Sequence, residues 1–167
     1  MNNPIWLMTS AFPGLGLKDA MDKALQAGAQ GLDVCVFRRD GTRKDHVATH
    51  IDYEHFTPEK AQKTLDLFSE KGLRFSIGAY ENIIGGEPEQ RLPNQNHLLA
   101  LIRMAHLMGG DANGIRVGTF VGYNHELGNT EGGFEKNLLE YERVFKPIIR
   151  YAEDLGVTVT YENCPME

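Results

Sequence analysis

The sequence predicts an α/β fold on a parallel sheet, with roughly five strands alternating with four helices. Three observations predict it. Short apolar runs alternate with helix-period stretches along the whole chain. Each strand is separated from the next by a helix, which demands parallel pairing and right-handed crossovers. The turns from helix into strand are short, whereas the loops leaving strands two, three and four are long and polar. Function is therefore expected at the C-terminal ends of the strands. At this level an open doubly wound sheet and an arc of a barrel share the same element order.

Each element has its own signal. Ile5-Trp6-Leu7-Met8 is an apolar run ended by Pro13-Gly14 and reads as the first strand. From Leu17 to Ala27 the residues Leu17, Met21, Ala24 and Leu25 recur at helical spacing, and Gly28 stops the helix. Gly31 to Phe37 is the second strand. A polar stretch from Arg38 to Phe56 follows, with Arg38, Arg39, Arg43 and Lys44 and the histidines His46, His50 and His55. Thr57-Pro58 opens the second helix: Thr57 caps free amides and Pro58 suits the first helical position. Ala61, Leu65 and Phe68 form its stripe, and Lys71-Gly72 ends it.

Leu73 to Ile77 alternates as the third strand. Gly78 to Asn94 is expected to be a loop, with Gly85-Gly86 and Pro88 as turn signals. Leu98, Leu99, Ile102, Ala105 and Met108 mark the third helix, and Ile115 to Val121 the fourth strand. Gly122 to Gly133 is a polar, glycine-rich loop. Phe134 to Leu155 is a long helical pattern that Pro147 either kinks or divides. After Gly156, Val157 to Tyr161 is the fifth strand.

Composition narrows the function. The 167 residues are 41% hydrophobic and 24% charged, which fits one globular domain over residues 1–167. No apolar run is long enough for a membrane span. The formal charge of -6 weighs against a nucleic-acid partner. There is no GxGxxG after the first strand and no Walker A sequence, which lowers the nucleotide readings. Two cysteines, Cys35 and Cys164, do not make a disulfide scaffold. The first residues carry no basic segment or long apolar run, so a cytoplasmic protein is expected.

Glu162 is the leading candidate for chemistry. It directly follows an uncharged strand, and period-2 alternation puts Thr158, Thr160 and Glu162 on one face and Val157, Val159 and Tyr161 on the other. A carboxylate at that position binds a hard divalent cation or moves a proton. A strand-end carboxylate satisfied by backbone amides is the plainer alternative. His50 and Asp52 alternate after the second strand and suit one site, but local ligands number too few for a metal. Tyr80, Asn82 and Arg91 follow the third strand; neutral polar and aromatic groups suit a polyol, and arginine suits a carboxylate or phosphate. The plainer alternative for these residues is loop packing. His97 and His106 read as packed or surface histidines, His125 as a loop residue. Arg38, Arg39, Arg43 and Lys44 read as a solvated basic loop, and Cys164 as a semi-buried thiol.

Tyr161-Glu162-Asn163-Cys164-Pro165-Met166 resembles the fifth-strand ENCPM signature of the sugar phosphate isomerase/epimerase family, whose members are xylose isomerase-like TIM barrels. Supporting pieces occur in order: His50-Ile51-Asp52, Tyr80-Glu81-Asn82, Gly118-Thr119-Phe120-Val121-Gly122, and Pro147 to Glu153. The resemblance covers essentially the whole chain, read as the N-terminal half of such a barrel. It implies an incomplete (β/α)8 barrel, an arc of about five strands out of eight. It also implies a divalent metal ion (Mn, Mg, Co or Zn) and proton transfer next to a carbonyl by an isomerase or epimerase. Only Glu162 matches a metal ligand of the family, and it doubles there as an acid/base group. The family's remaining ligands fall on strands six to eight, beyond this sequence.

Two further readings stand beside this one. A non-catalytic half-barrel would survive by self-association as a homo-oligomer, or by pairing with a complementary half. The endonucleases of the same barrel superfamily place metal-binding histidines after strands three and four, where this chain has Ser76-Ile77-Gly78-Ala79-Tyr80 and Phe120-Val121-Gly122-Tyr123. A metal-dependent phosphodiesterase is therefore the weaker alternative. The expected partner is a small polyol or sugar, handled by the intact protein. The chain alone is expected to be inactive.

Overall fold

The computed structural model describes residues 3–41 and 49–162. Along the chain come β1 (Trp6–Met8), a 3-10 turn (Thr9–Ala11), α1 (Leu17–Gln26), β2 (Gly31–Cys35), α2 (Pro58–Lys71) and β3 (Arg74–Gly78). Then follow α3 (Pro88–Leu107), a second 3-10 turn (Gly110–Asn113), β4 (Val117–Phe120), α4 (His125–Gly128), α5 (Gly133–Asp154) and β5 (Val159–Glu162). The five strands lie in the order β1-β2-β3-β4-β5, and every pairing is parallel. A doubly wound sheet needs its strand order to reverse. Here the order never reverses, so crossovers of one hand put every long helix on the same face. The chain is a barrel arc, an incomplete (β/α)8 barrel.

Local signals explain most of the elements. The Thr57 hydroxyl accepts from the Lys60 amide at 3.3 Å and Pro58 opens α2. Gly72 ends that helix at φ 64°, a left-handed cap that glycine adopts without a Cβ penalty. α3 starts at Pro88, inside the stretch expected to be loop. Its cause is a capping box: the Glu87 carboxylate accepts from the Gln90 amide, and the Gln90 side chain accepts from the Glu87 amide at 3.2 Å. α3 therefore runs through Pro93. Pro147 likewise sits inside α5 without dividing it. The loop after β4 holds one turn of helix, α4, capped by Asn124, whose side chain accepts from the Leu127 amide at 3.1 Å.

The core lies between helices and sheet. Leu32, Val34, Phe75, Ile77 and Val117 point from the strands into one buried cluster with Met21, Ala24, Phe68, Leu98, Ile102, Phe145 and Ile148 of the helices. Phe68 of α2 stacks on Phe75 of β3 with ring centroids 4.0 Å apart. Ile77 is fully buried at the centre of the sheet; truncating such a side chain to alanine costs about 2–5 kcal/mol. The alternate residues of each strand face the other way, towards the hollow of the arc.

Candidate functional site

Strand register decides what the hollow face carries. Asp33 pairs with Ser76, Cys35 with Gly78, Gly78 with Gly118, Gly118 with Thr160 and Phe120 with Glu162. Parallel partners point to the same side, so these residues share the face opposite the helix-packed core. A second, small apolar cluster forms there from Cys35, Phe37, Tyr80 and Phe120, with Met8 packed against it. Glu162 is the last residue of β5, exposed at its C-terminal end. Among the described residues its carboxylate makes no hydrogen bond or ion pair. The register puts Thr160 and Glu162 on one face, as the alternation predicts; Thr158 precedes the strand.

Beneath Glu162 lies a polar knot. The Tyr80 hydroxyl donates to Asp33 Oδ2, and the Ser76 hydroxyl donates to Asp33 Oδ1 at 2.9 Å. Tyr80 is the one non-glycine residue with positive φ, at 50°, among the described residues; such a backbone costs roughly 1–3 kcal/mol and persists where its surroundings impose it. Its ring lies over two paired glycines. A Cβ on Gly78 would stand 2.3 Å from a Tyr80 ring carbon, and one on Gly118 would stand 3.1 Å from the Tyr80 oxygen. Burial, with Asp33 and Glu162 as nearby negative charges, pushes the Tyr80 hydroxyl well above its ordinary value, so it stays protonated. On its far side the ring meets Phe120 at 5.1 Å between centroids.

The other expected site residues go to different tasks. His50 sits in the loop after β2, where its amide donates to the Cys35 carbonyl at 3.2 Å. Both of its ring nitrogens are buried without a hydrogen-bond partner, and burial lowers its pKa. Asp52 turns outward: it binds Lys60 at 3.2 Å and lies 3.7 Å from Arg39 and 3.9 Å from His55. The hydrogen bond and charge of Lys60 lower its pKa. Asp52, Glu54 and His55 bring three potential ligand atoms within 4.8 Å of one another, but the Asp52 charge is already balanced by cations. Asn82 staples two loops: it donates to the Tyr123 carbonyl at 3.0 Å and accepts from the Gly85 amide at 2.7 Å. Arg91 is buried, donates to the Ile84 carbonyl at 3.1 Å and pairs with Glu140 of α5.

The basic loop and the histidines are also placed. Arg38 binds Asp40 and Asn94, its guanidinium 2.9 Å from the Asp40 carboxylate. His97 is buried against Tyr53, and the His106 ring donates from Nδ1 to the Leu155 carbonyl, 2.7 Å away. His125 opens α4 beside the Tyr123 ring. Arg43, Lys44 and His46 lie outside the described residues, as do Cys164 and the remainder of the ENCPM run after Glu162. Beside Glu162, a cleft of about 480 Å³ opens between β5 and the start of α5, lined by Val121, Tyr123, Phe134, Leu138, Tyr141 and Tyr161. Sequence reasoning missed Asp33, which stood in the middle of an apolar strand. A carboxylate at a sheet-interior position was the one available signal.

No protein-family model and no curated protein matches the sequence. Solved structures match in fold. Against a D-tagatose 3-epimerase-like protein, the match covers 99% of this chain and 54% of that one, with a TM-score of 0.68 at 16% identity. Against a xylose isomerase domain protein from Planctomyces limnophilus, it covers 98% and 53%, with a TM-score of 0.60 at 14% identity. Against D-psicose 3-epimerase from Clostridium cellulolyticum H10, solved with D-tagatose, it covers 92% and 50%, with a TM-score of 0.62 at 10% identity. The chain spans about half the length of these structures. With its five-stranded arc, it has the fold of the xylose isomerase-like sugar epimerase and isomerase barrels, over about half of a barrel.

Proposed function

We propose that residues 1–167 form the N-terminal portion of a divalent-metal-dependent sugar isomerase or epimerase. One observation carries this reading: Glu162 stands exposed at the C-terminal end of β5, on the hollow face, its carboxylate in no ion pair or hydrogen bond among the described residues. Ligand sites of such barrels lie at that end of the strands. The neighbours in fold include a D-psicose 3-epimerase solved with D-tagatose. Their chemistry suits a small polyhydroxylated carbonyl compound, such as a ketose or an inosose.

Glu162 fits one place in the coordination shell of a hard cation, which prefers oxygen donors. Asp33 does not compete, because hydroxyl groups occupy both of its oxygens. The remaining ligands would come from outside the described residues. A bound divalent cation would polarise the oxygens of the carbonyl and its neighbouring hydroxyl. The Glu162 carboxylate would take the proton from the carbon next to the carbonyl; its delivery to the neighbouring carbon completes an isomerisation, whereas an epimerisation needs a second acid, from outside the described residues, to protonate the opposite face. Val121, Tyr123 and Tyr161 give the cleft beside it an apolar wall.

The test is turnover of ketoses by the polypeptide that completes the barrel, assayed with added divalent cation. Glu162→Gln keeps the shape and removes the base, and is expected to lower kcat by at least about a thousandfold. Retained turnover in that variant would overturn the assignment. The chain of 167 residues by itself is expected to show none, because one carboxylate does not fix an ion in catalytic geometry.

A further inference from the structure

We propose that Tyr80, locked by Asp33, is a positioning residue that sets the C-terminal ends of β4 and β5 and thereby the place of Glu162. The proposal deepens the sugar-isomerase reading and rests on it for its kinetic arm.

Five observations converge on this device. Tyr80 holds a positive φ of 50° that a non-glycine residue adopts only under constraint. The constraint is visible at its far end, where the hydroxyl donates to Asp33, and Asp33 is held in turn by Ser76 at 2.9 Å. Room for the ring comes from glycines at paired register positions, Gly78 and Gly118. Any side chain at Gly78 would collide with the ring, and one at Gly118 would press on its oxygen. The ring meets Phe120 of β4 at 5.1 Å between centroids. Phe120 is the register partner of Glu162.

Tyr80 therefore bridges three strands: anchored on β2, laid across β3 and β4, and one strand pairing away from Glu162. At 5% exposure it is too deeply covered to serve as a broad contact for substrate. Its lever is geometric. Sub-ångström placement of a proton-moving carboxylate governs the rate, because a small misplacement of a reacting group is costly. Loss of the Asp33 anchor leaves the strained Tyr80 backbone free to relax, and Phe120 follows its ring. An ordinary buried tyrosine would share none of this coupling.

The first test reads amide hydrogen exchange in the 167-residue chain, with no metal and no turnover involved. Tyr80→Phe keeps the ring and removes the anchor. The amides of Phe120 and Glu162 are expected to lose about fivefold of their protection, with those of α1 and α2 unchanged. Gly118→Ala should have the same local effect by displacing the ring. Unchanged protection at the ends of β4 and β5 overturns the proposal. The second test is kinetic, in the polypeptide that completes the barrel. Tyr80→Phe and Asp33→Asn should each lower kcat about tenfold with KM held, and the double variant should be no slower than either single one. A change in KM alone, or fully additive losses, also overturns it. Glu162→Gln separates the two readings: if it keeps full turnover the sugar assignment falls, while the exchange result still decides the role of Tyr80.

Discussion

His97 sits 4% exposed between the Tyr53 ring, at 4.6 Å, and the backbone of Val36, and neither ring nitrogen has a hydrogen-bond partner. Burial, and then the positive charge of Arg38, lowers its pKa to about 4; Val36 and Asp40 oppose that shift. The folded value lies below the unfolded one, so the folded state favours the neutral ring. Its stabilising share is complete above about pH 6.5, and is lost as pH falls from there to about 4, on the order of 3 kcal/mol in all. His97→Phe keeps the contact with Tyr53 and removes the titration. Urea unfolding at a series of pH values should show the wild type losing ground to this variant between those limits, and parallel curves would refute the assignment. The sequence left His97 as either a packed or a surface histidine, in or beside the third helix, and the structure places it in the packed class. The environment of Tyr80 was not legible there. Its positive φ and its bond to Asp33 depend on a strand 47 residues away in sequence, and local pattern carries no information about such a contact.

The seam between α3 and α5 shows how an element is fixed by a charge rather than by its stripe. Arg91 of α3 is 7% exposed and pairs with Glu140 of α5, which also binds Arg143 at 2.7 Å. The Arg143 hydrogen bond, with the charges of Arg91 and Arg143, holds the Glu140 carboxyl below its usual range. Glu140→Gln leaves the Arg91 guanidinium buried without its counter-charge and is expected to cost about 3 kcal/mol. Arg143→Ala, at a side chain 62% exposed, should cost less than about 1 kcal/mol. Chemical denaturation of the two variants checks the order, and equal losses would place the seam's stability elsewhere. Element order and most strand positions were readable from apolar periodicity. The start of α3 was not, because Gly85-Gly86 and Pro88 read as turn signals while the Glu87–Gln90 capping box outweighs them. Arg91 read as a loop residue for the same reason, and its helical position is what turns it towards α5.

An arc has two ends, and both bear on how the whole molecule behaves. Among the described residues β1 pairs only with β2 and β5 only with β4, so each offers an unpaired row of backbone groups. Beside β5 the surface is apolar: Phe134 is 67% exposed, Leu139 67%, Tyr161 55% and Leu138 51%. Of these, Phe134, Leu138 and Tyr161 line the cleft next to Glu162. In a closed barrel the next βα unit covers that edge, and the solved structures of the same fold are about twice as long as this chain. On the reading proposed above, the rest of the barrel would fit this surface, with backbone groups that pair along β5 and an apolar helix face against α5. Until that surface is covered, copies of the 167-residue chain are expected to associate through it. Sedimentation over a wide concentration range should show the average mass rising with concentration. Phe134→Ser with Leu139→Ser should shift the distribution towards monomer without lowering the thermal midpoint, because both side chains are largely exposed. Adding the segment that completes the barrel should abolish the association and protect the outward-facing β5 amides, those that do not pair with β4. A chain that stays monomeric throughout, with those outward-facing amides already protected, would mean that the edge needs no cover and that half a barrel is a stable unit in its own right.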